Sequence, residues 1–264
     1  MAAAALPASL KLSYFNIQGA AEKVRLAFVL GRIPFEDHRV PFPEWTALKP
    51  QTPYGQLPLL SIDGGEPMAQ SDAMLRFAGT LATGAQGVPL YRADDMLAIE
   101  EALGLVSDLQ RDWRPPVGIA LDPSPYGYTD PEFKGSAEHS AVIKKVREDF
   151  MAGAFPKYMG FLTTKLDRGG GGGFLIGGPT PTIADCALVP VLNRFTSGGV
   201  DHVPVDCLEP FPSVVVNSPA SSMHFDPLHT VRAKITSAVC GTQEYVARFM
   251  ALEPVAEWYR SQSA

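Results

Sequence analysis

The chain has 264 residues, 46% of them hydrophobic and 19% charged, a globular composition that suits a small domain joined to a larger one and excludes global disorder. A formal net charge of −6 with no run of Lys or Arg argues against a nucleic-acid partner, which needs a basic face to release counterions. Three cysteines without close spacing (Cys186, Cys207, Cys240) make no disulfide framework, so a reducing, cytoplasmic setting fits, and the lack of Cys-x-x-Cys or a His/Cys cluster gives no reason to expect a metal.

In chain order, residues 1–8 lack a basic n-region and a long apolar core and read as a flexible tail, and no later stretch approaches the roughly 20 apolar residues that cross a bilayer, so no membrane contact is expected. Leu10 to Phe15 alternates with the period of a strand, with Leu10, Leu12 and Tyr14 on one face. From Ala20 the spacing becomes helical, with Val24, Ala27, Phe28 and Leu30 inward and Gly31 where a left-handed cap would stop the helix. Phe35 to Val40 reads as a second strand. Pro41 to Tyr54, with four prolines, reads as an irregular surface excursion. Leu57 to Ile62 is a third strand, Asp63-Gly64 a hairpin turn, Pro67 to Ala69 a returning strand, and Ser71-Asp72 opens an amphipathic helix.

These elements complete a small α/β unit over residues 9–83. A linker at 84–91 follows, then a mostly helical unit over 92–264 that begins with the stripe Met96, Ile99, Leu103, Val106 and Leu109. Two segments, one near 114–135 dense in Pro, Gly, Tyr and Asp and one near 206–230, read as irregular insertions. The glycine run ending at Gly173 lacks the Gly-Lys-Ser/Thr of a phosphate loop and reads as a turn, and Thr182 to Asp185 has the spacing of a capping box.

By themselves the chemistry-bearing residues have ordinary readings. Tyr14 is a strand tyrosine, Pro58 a trans proline at a strand edge, and Ser71 a helix N-cap. Together, a strand-end hydroxyl, a proline before an edge strand and Gln70-Ser71 at a helix start can converge on one end of a small sheet, where free amides and the helix dipole would seat a carboxylate. In this order and spacing they resemble the thioredoxin-like N-terminal domain of cytosolic glutathione S-transferases. Ser13-Tyr14-Phe15-Asn16, Glu22 to Arg25, Trp45 to Lys49 and Pro53 to Pro58 are similar to the sigma class, which includes prostaglandin D synthase-type enzymes.

The resemblance implies a thioredoxin-like α/β domain followed by an all-helical bundle, with Thr182 to Asp185 and Leu252 to Arg260 matching the family's capping box and final helix. It implies that Tyr14 hydrogen-bonds the glutathione sulfur and that Pro58 is a cis proline. Leu57 would pair with the cysteinyl backbone, Gln70 and Ser71 would hold the γ-glutamyl carboxylate, and Trp45, Lys49 and Gln56 would line the glycine end. A homodimer is implied as well, in which Asp108 or Asp112 reaches the partner's glutathione amine, although solvated helix charges are the simpler reading of both. Ala20 stands where sigma enzymes usually carry an arginine.

The reaction expected is conjugation of glutathione, used as substrate, to hydrophobic electrophiles. The alternatives are glutathione-dependent isomerisation or peroxide reduction, or a non-catalytic ligand-binding role, which an intact polar set disfavours. Ser13 offers a serine-type rival to Tyr14, but alternation points the two side chains to opposite faces.

Overall fold

The computed structural model of the protein describes residues 6–82, 90–169, 173–211 and 245–262. The start of the expected tail, most of the expected linker, the centre of the glycine run, the second expected insertion beyond residue 211 and Cys240 lie outside the described residues.

The first unit runs β1 (Leu10–Phe15), a 3-10 turn (Gly19–Ala21), α1 (Glu22–Leu30), β2 (Glu36–Val40), α2 (Phe42–Leu48), a second 3-10 turn (Lys49–Gln51), β3 (Leu59–Ile62) and α3 (Ser71–Leu81). The sheet has the order β2-β1-β3, with β2 parallel and β3 antiparallel to β1. Alternation along β1 sends Leu10, Leu12 and Tyr14 into the core. On the outer face Lys11 meets Glu36, its partner in register, at 2.8 Å. Helix α1 is buried almost all round, polar residues included, because it packs against α3, α7 (Ile183–Thr196) and α9 (Glu253–Gln262).

Several local expectations change. The segment from Pro41 is not irregular throughout: Pro41 takes an extended N-cap conformation and Pro43 lies in the first turn of α2, where a missing N–H costs nothing. Gly31 is right-handed, and the left-handed residue after α1 is Arg32 at φ 53°. Glycine is needed at 31 for space, since a Cβ there would stand 2.5 Å from the Cβ of Ala82. The Asp63-Gly64 turn has positive φ at both positions, as a tight hairpin requires, but the returning segment makes a single bridge, Met68 to Leu60, rather than a strand.

The second unit is helical: α4 (Met96–Leu121), α5 (Ala137–Ala152), α6 (Ala154–Arg168), α7, α8 (Tyr245–Met250) and α9. The stripe Ile99, Leu103, Val106 and Leu109 is buried as expected, whereas Met96, at the helix start, is exposed. The first expected insertion is also partly wrong, because α4 continues through Pro115 and Pro116 to Leu121. Two prolines remove two N–H donors from the ladder. Side chains from beyond the helix also bond carbonyls in its last two turns: Arg147 donates to Pro116 O at 3.2 Å and Lys134 to Leu121 O at 2.8 Å. His139 accepts from Gly135 N–H through Nδ1, so its Nε2–H donates to Ile119 O at 2.8 Å. Positive groups at that end also suit the helix dipole.

At the start of α7 the expected capping box is present. Asp185, fully buried, accepts from the backbone N–H of Leu175 and of Thr182 and from the hydroxyls of Thr182 and Tyr245. The two units meet closely at Gly79, where a Cβ would lie 2.5 Å from Ile183 Cγ2 and 2.8 Å from Tyr91 Cβ. Arg76 of α3 forks onto Glu100 of α4, which also accepts from the Tyr91 hydroxyl at 2.7 Å.

Candidate functional site

The C-terminal end of β1 organises the site. Register pairs Ser13 with Leu59, so the next residues along each strand, Tyr14 and Pro58, are neighbours. The Leu57-Pro58 bond is cis. Tyr14 is buried, and its hydroxyl oxygen accepts the Ala20 N–H at 3.1 Å. Gly19, at φ 43°, passes so close that a Cβ there would stand 2.4 Å from the Tyr14 oxygen. Only glycine fits that approach and that backbone conformation together.

Ser13 belongs to the other face of the sheet, where its hydroxyl lies 3.1 Å from His38 Nδ1. Phe15 stacks on Phe42 with ring centroids 4.6 Å apart and meets Trp45 edge-on at 5.6 Å. This contact ties α2 to the same end of the sheet. Trp45 and Lys49 then line an open cleft of about 600 Å³ with Thr46, Pro50, Thr52 and Gly55. Gln56 is exposed beyond its rim and Leu57 is half-buried.

The third component is the start of α3. Gln70 caps it at φ 81° and ψ 92°, a conformation that costs a non-glycine residue roughly 1–3 kcal/mol and is found mainly at functional sites. Its exposed amide and the half-buried Ser71 stand where the helix leaves backbone N–H groups unpaired. Lys23 of α1 donates to Asp72 of α3, which holds the two helix starts side by side. Tyr14, Pro58, Gln70, Ser71, Trp45 and Lys49 are thus drawn toward one end of the sheet.

Asp108 and Asp112 lie elsewhere, on α4. Asp108 pairs with Arg111 at 2.6 Å, and Asp112 accepts the hydroxyl of Tyr158, from the same chain, at 2.7 Å. Burial, chiefly, and the bond to Asp112 push the Tyr158 phenol up from its ordinary value. Sequence reasoning missed the Ala20 N–H, since a backbone donor has no residue signature. It also passed over Gly19 as a loop residue and Arg25 as part of a motif. Arg25 carried a legible signal: a cation between Val24 and Phe28 on a helix with a buried apolar face. Among the described residues no group of three or more His, Cys, Asp or Glu side chains is arranged to hold a metal ion, and no helix is long and apolar enough to cross a membrane.

Comparison with known proteins agrees with this architecture. The models of the glutathione S-transferase N-terminal domain and C-terminal domain match residues 20–81 and 141–215. The probable glutathione S-transferase 8 of Caenorhabditis elegans is 36% identical over 168 residues, which cover 63% of this chain and 71% of the relative. The glutathione S-transferase from Ascaris lumbricoides shares the fold, with a TM-score of 0.67 and 23% identity over 97% of this chain and 98% of the other. So does prostaglandin synthase D of Nilaparvata lugens, with a TM-score of 0.64 and 20% identity over 97% of this chain and 99% of the other. A thioredoxin-like unit followed by a helical unit is the architecture of the glutathione S-transferases. The chain belongs to the glutathione S-transferase family. Glutathione is the family's substrate, and glutathione S-transferase activity follows from membership.

Proposed function

We propose that the protein is a tyrosine-type transferase of sigma-class character, in which the Tyr14 hydroxyl donates to the sulfur of glutathione while the thiolate attacks a hydrophobic electrophile. The observation that carries this reading is the Ala20 N–H on the Tyr14 oxygen. A phenol oxygen that already accepts a backbone hydrogen bond has its own proton left to give, and acceptance strengthens it as a donor. A thiol of ordinary pKa, about 8.5, is only a few per cent thiolate at neutral pH. Lowering it by about two units takes roughly 2.7 kcal/mol, and one hydrogen bond to a charged group supplies about 1.5–3 kcal/mol. The Ser13 hydroxyl, engaged with His38, is the weaker candidate.

In the same reading the Leu57 backbone pairs with the cysteinyl unit, and Gln70 and Ser71 hold the γ-glutamyl carboxylate. Trp45, Lys49 and Gln56 take the glycine end, with the Lys49 ammonium opposite the terminal carboxylate. The reading includes a cytoplasmic homodimer and keeps the division at 9–83, 84–91 and 92–264. Asp108 or Asp112 is its cross-subunit contact for the glutathione amine.

The test is retention on immobilised glutathione together with turnover of a generic aryl halide, comparing Ser13→Ala with Tyr14→Phe. Tyr14→Phe is expected to bind the resin and lose about tenfold or more in kcat/KM at neutral pH, with Ser13→Ala near wild type. The reverse ranking would transfer the role to Ser13.

A further inference from the structure

Among the described residues Arg25 is the largest fully buried side chain, and it lies against the Tyr14 ring. Its guanidinium carbon is 5.7 Å from the Tyr14 ring centroid. Nη1 donates to the carbonyls of Ile17 at 2.9 Å and Gln18 at 3.2 Å and to Glu22 at 3.0 Å, and Nε donates to Asp37 at 2.9 Å. Nη2, also buried, has no hydrogen-bond partner. The charged groups around it are Glu22, Asp37 and Arg39, the last of which pairs with the other oxygen of Asp37; the phenol of Tyr259 from α9 faces Glu22. Two carboxylates and a second cation leave this cluster with no net charge, so Arg25 brings Tyr14 little uncompensated field. What it does bring is a clamp. The two carbonyls it holds belong to the segment between Tyr14 and Gly19, and that segment delivers the Ala20 N–H to the Tyr14 oxygen.

We propose that Arg25 is a positioning residue for Tyr14: by clamping the Ile17 and Gln18 carbonyls it holds the Ala20 N–H on the phenol oxygen and so directs the phenol proton toward the thiol. The proposal rests on the reading of Tyr14 as the thiol's hydrogen-bond donor. It requires the planar fork of a guanidinium and not merely a positive charge, because a lysine ammonium at the end of a flexible stem cannot reproduce the fork that joins the two carbonyls to Asp37.

The test is an ultraviolet titration of the glutathione thiolate bound to the full-length protein, with the pH profile of kcat/KM and the KM for glutathione. Tyr14→Phe comes first: if it leaves the bound-thiol pKa unchanged, the reading of Tyr14 fails and the proposal goes with it. If Tyr14→Phe raises that pKa, Arg25→Lys is expected to raise it too, by about one unit, which is a tenfold loss of thiolate near neutrality, with KM changed less than about twofold. A folded Arg25→Lys protein with the wild-type pH profile overturns the proposal and leaves Tyr14 intact. Ala20→Pro removes the N–H without touching the ion cluster and is expected to give the same shift; an unmoved profile there also overturns it. Should either variant fold poorly, amide exchange on the wild type decides: Ala20 N–H is expected to exchange far more slowly than the exposed amides around it, and equal rates refute the clamp.

Discussion

Truncating Asp185 to alanine should destabilise the protein more than any change at its surface. The carboxyl is fully buried, with Leu175 N at 2.8 Å and the Tyr245 hydroxyl at 2.9 Å on one oxygen, and Thr182 N at 2.7 Å and the Thr182 hydroxyl at 3.0 Å on the other. Asp185→Ala strands the two backbone N–H groups and the Tyr245 hydroxyl, each at about 1–3 kcal/mol, whereas the Thr182 hydroxyl can rotate toward another acceptor. Part of that loss is offset, because burial already disfavours the charged carboxylate and raises its pKa. A net loss of about 3–5 kcal/mol remains, equivalent to a fall of about 10 °C in the melting temperature at this chain length. Thermal unfolding followed by circular dichroism measures it, with Asp185→Asn, which keeps one accepting oxygen, expected between the two. The pH dependence adds a sign. A carboxyl raised on folding binds its proton more tightly in the folded state, so its contribution is greatest at low pH and is lost as pH rises through the folded value, a slope Asp185→Asn should lack. An Asp185→Ala protein within about 1 kcal/mol of wild type would refute this account of the buried box.

Three further outcomes are expected. Gly79→Ala drives a methyl into Ile183 and Tyr91 where the two units meet, and should cost about 1–3 kcal/mol in urea unfolding. Glu100→Gln weakens the fork from Arg76 and should cost about 1 kcal/mol near neutral pH. Because the hydrogen bond from Arg76, foremost, holds the Glu100 carboxyl below its ordinary value, that contribution is present above the ordinary carboxylate range and lost as pH falls through the depressed value, so the variant's stability should fall less steeply in acid. Gln70→Gly relieves a strained backbone and should stabilise the fold by about 1 kcal/mol, while calorimetry shows weaker glutathione binding from the lost side chain.

How much the sequence disclosed depended on the range of the interactions involved. Alternation in β1, the Asp63-Gly64 turn, the Thr182 box and, apart from Met96, the stripe of α4 are local patterns, and each is present in the fold. The helix through Pro115 and Pro116 was not legible, because the groups that sustain it, Arg147, His139 and Lys134, come from 13 to 31 residues away. The demand for glycine at 31 and at 79 likewise comes from side chains the local sequence does not contain. At the site, Tyr14, Pro58, Gln70 and Ser71 were readable as a spaced set. Nothing in residue types alone could announce that a backbone amide would occupy the Tyr14 oxygen, or that Lys23 would join the starts of α1 and α3.

The central claim is that one phenol proton holds the sulfur of glutathione as its anion. Spectroscopic titration of the thiol bound to wild type and to Tyr14→Phe measures this directly. The account predicts a bound-thiol pKa about two units below that of free glutathione in the wild type, rising by one to two units in the variant, with affinity for the tripeptide little altered. A bound thiol that titrates at the same pH in both proteins would contradict it.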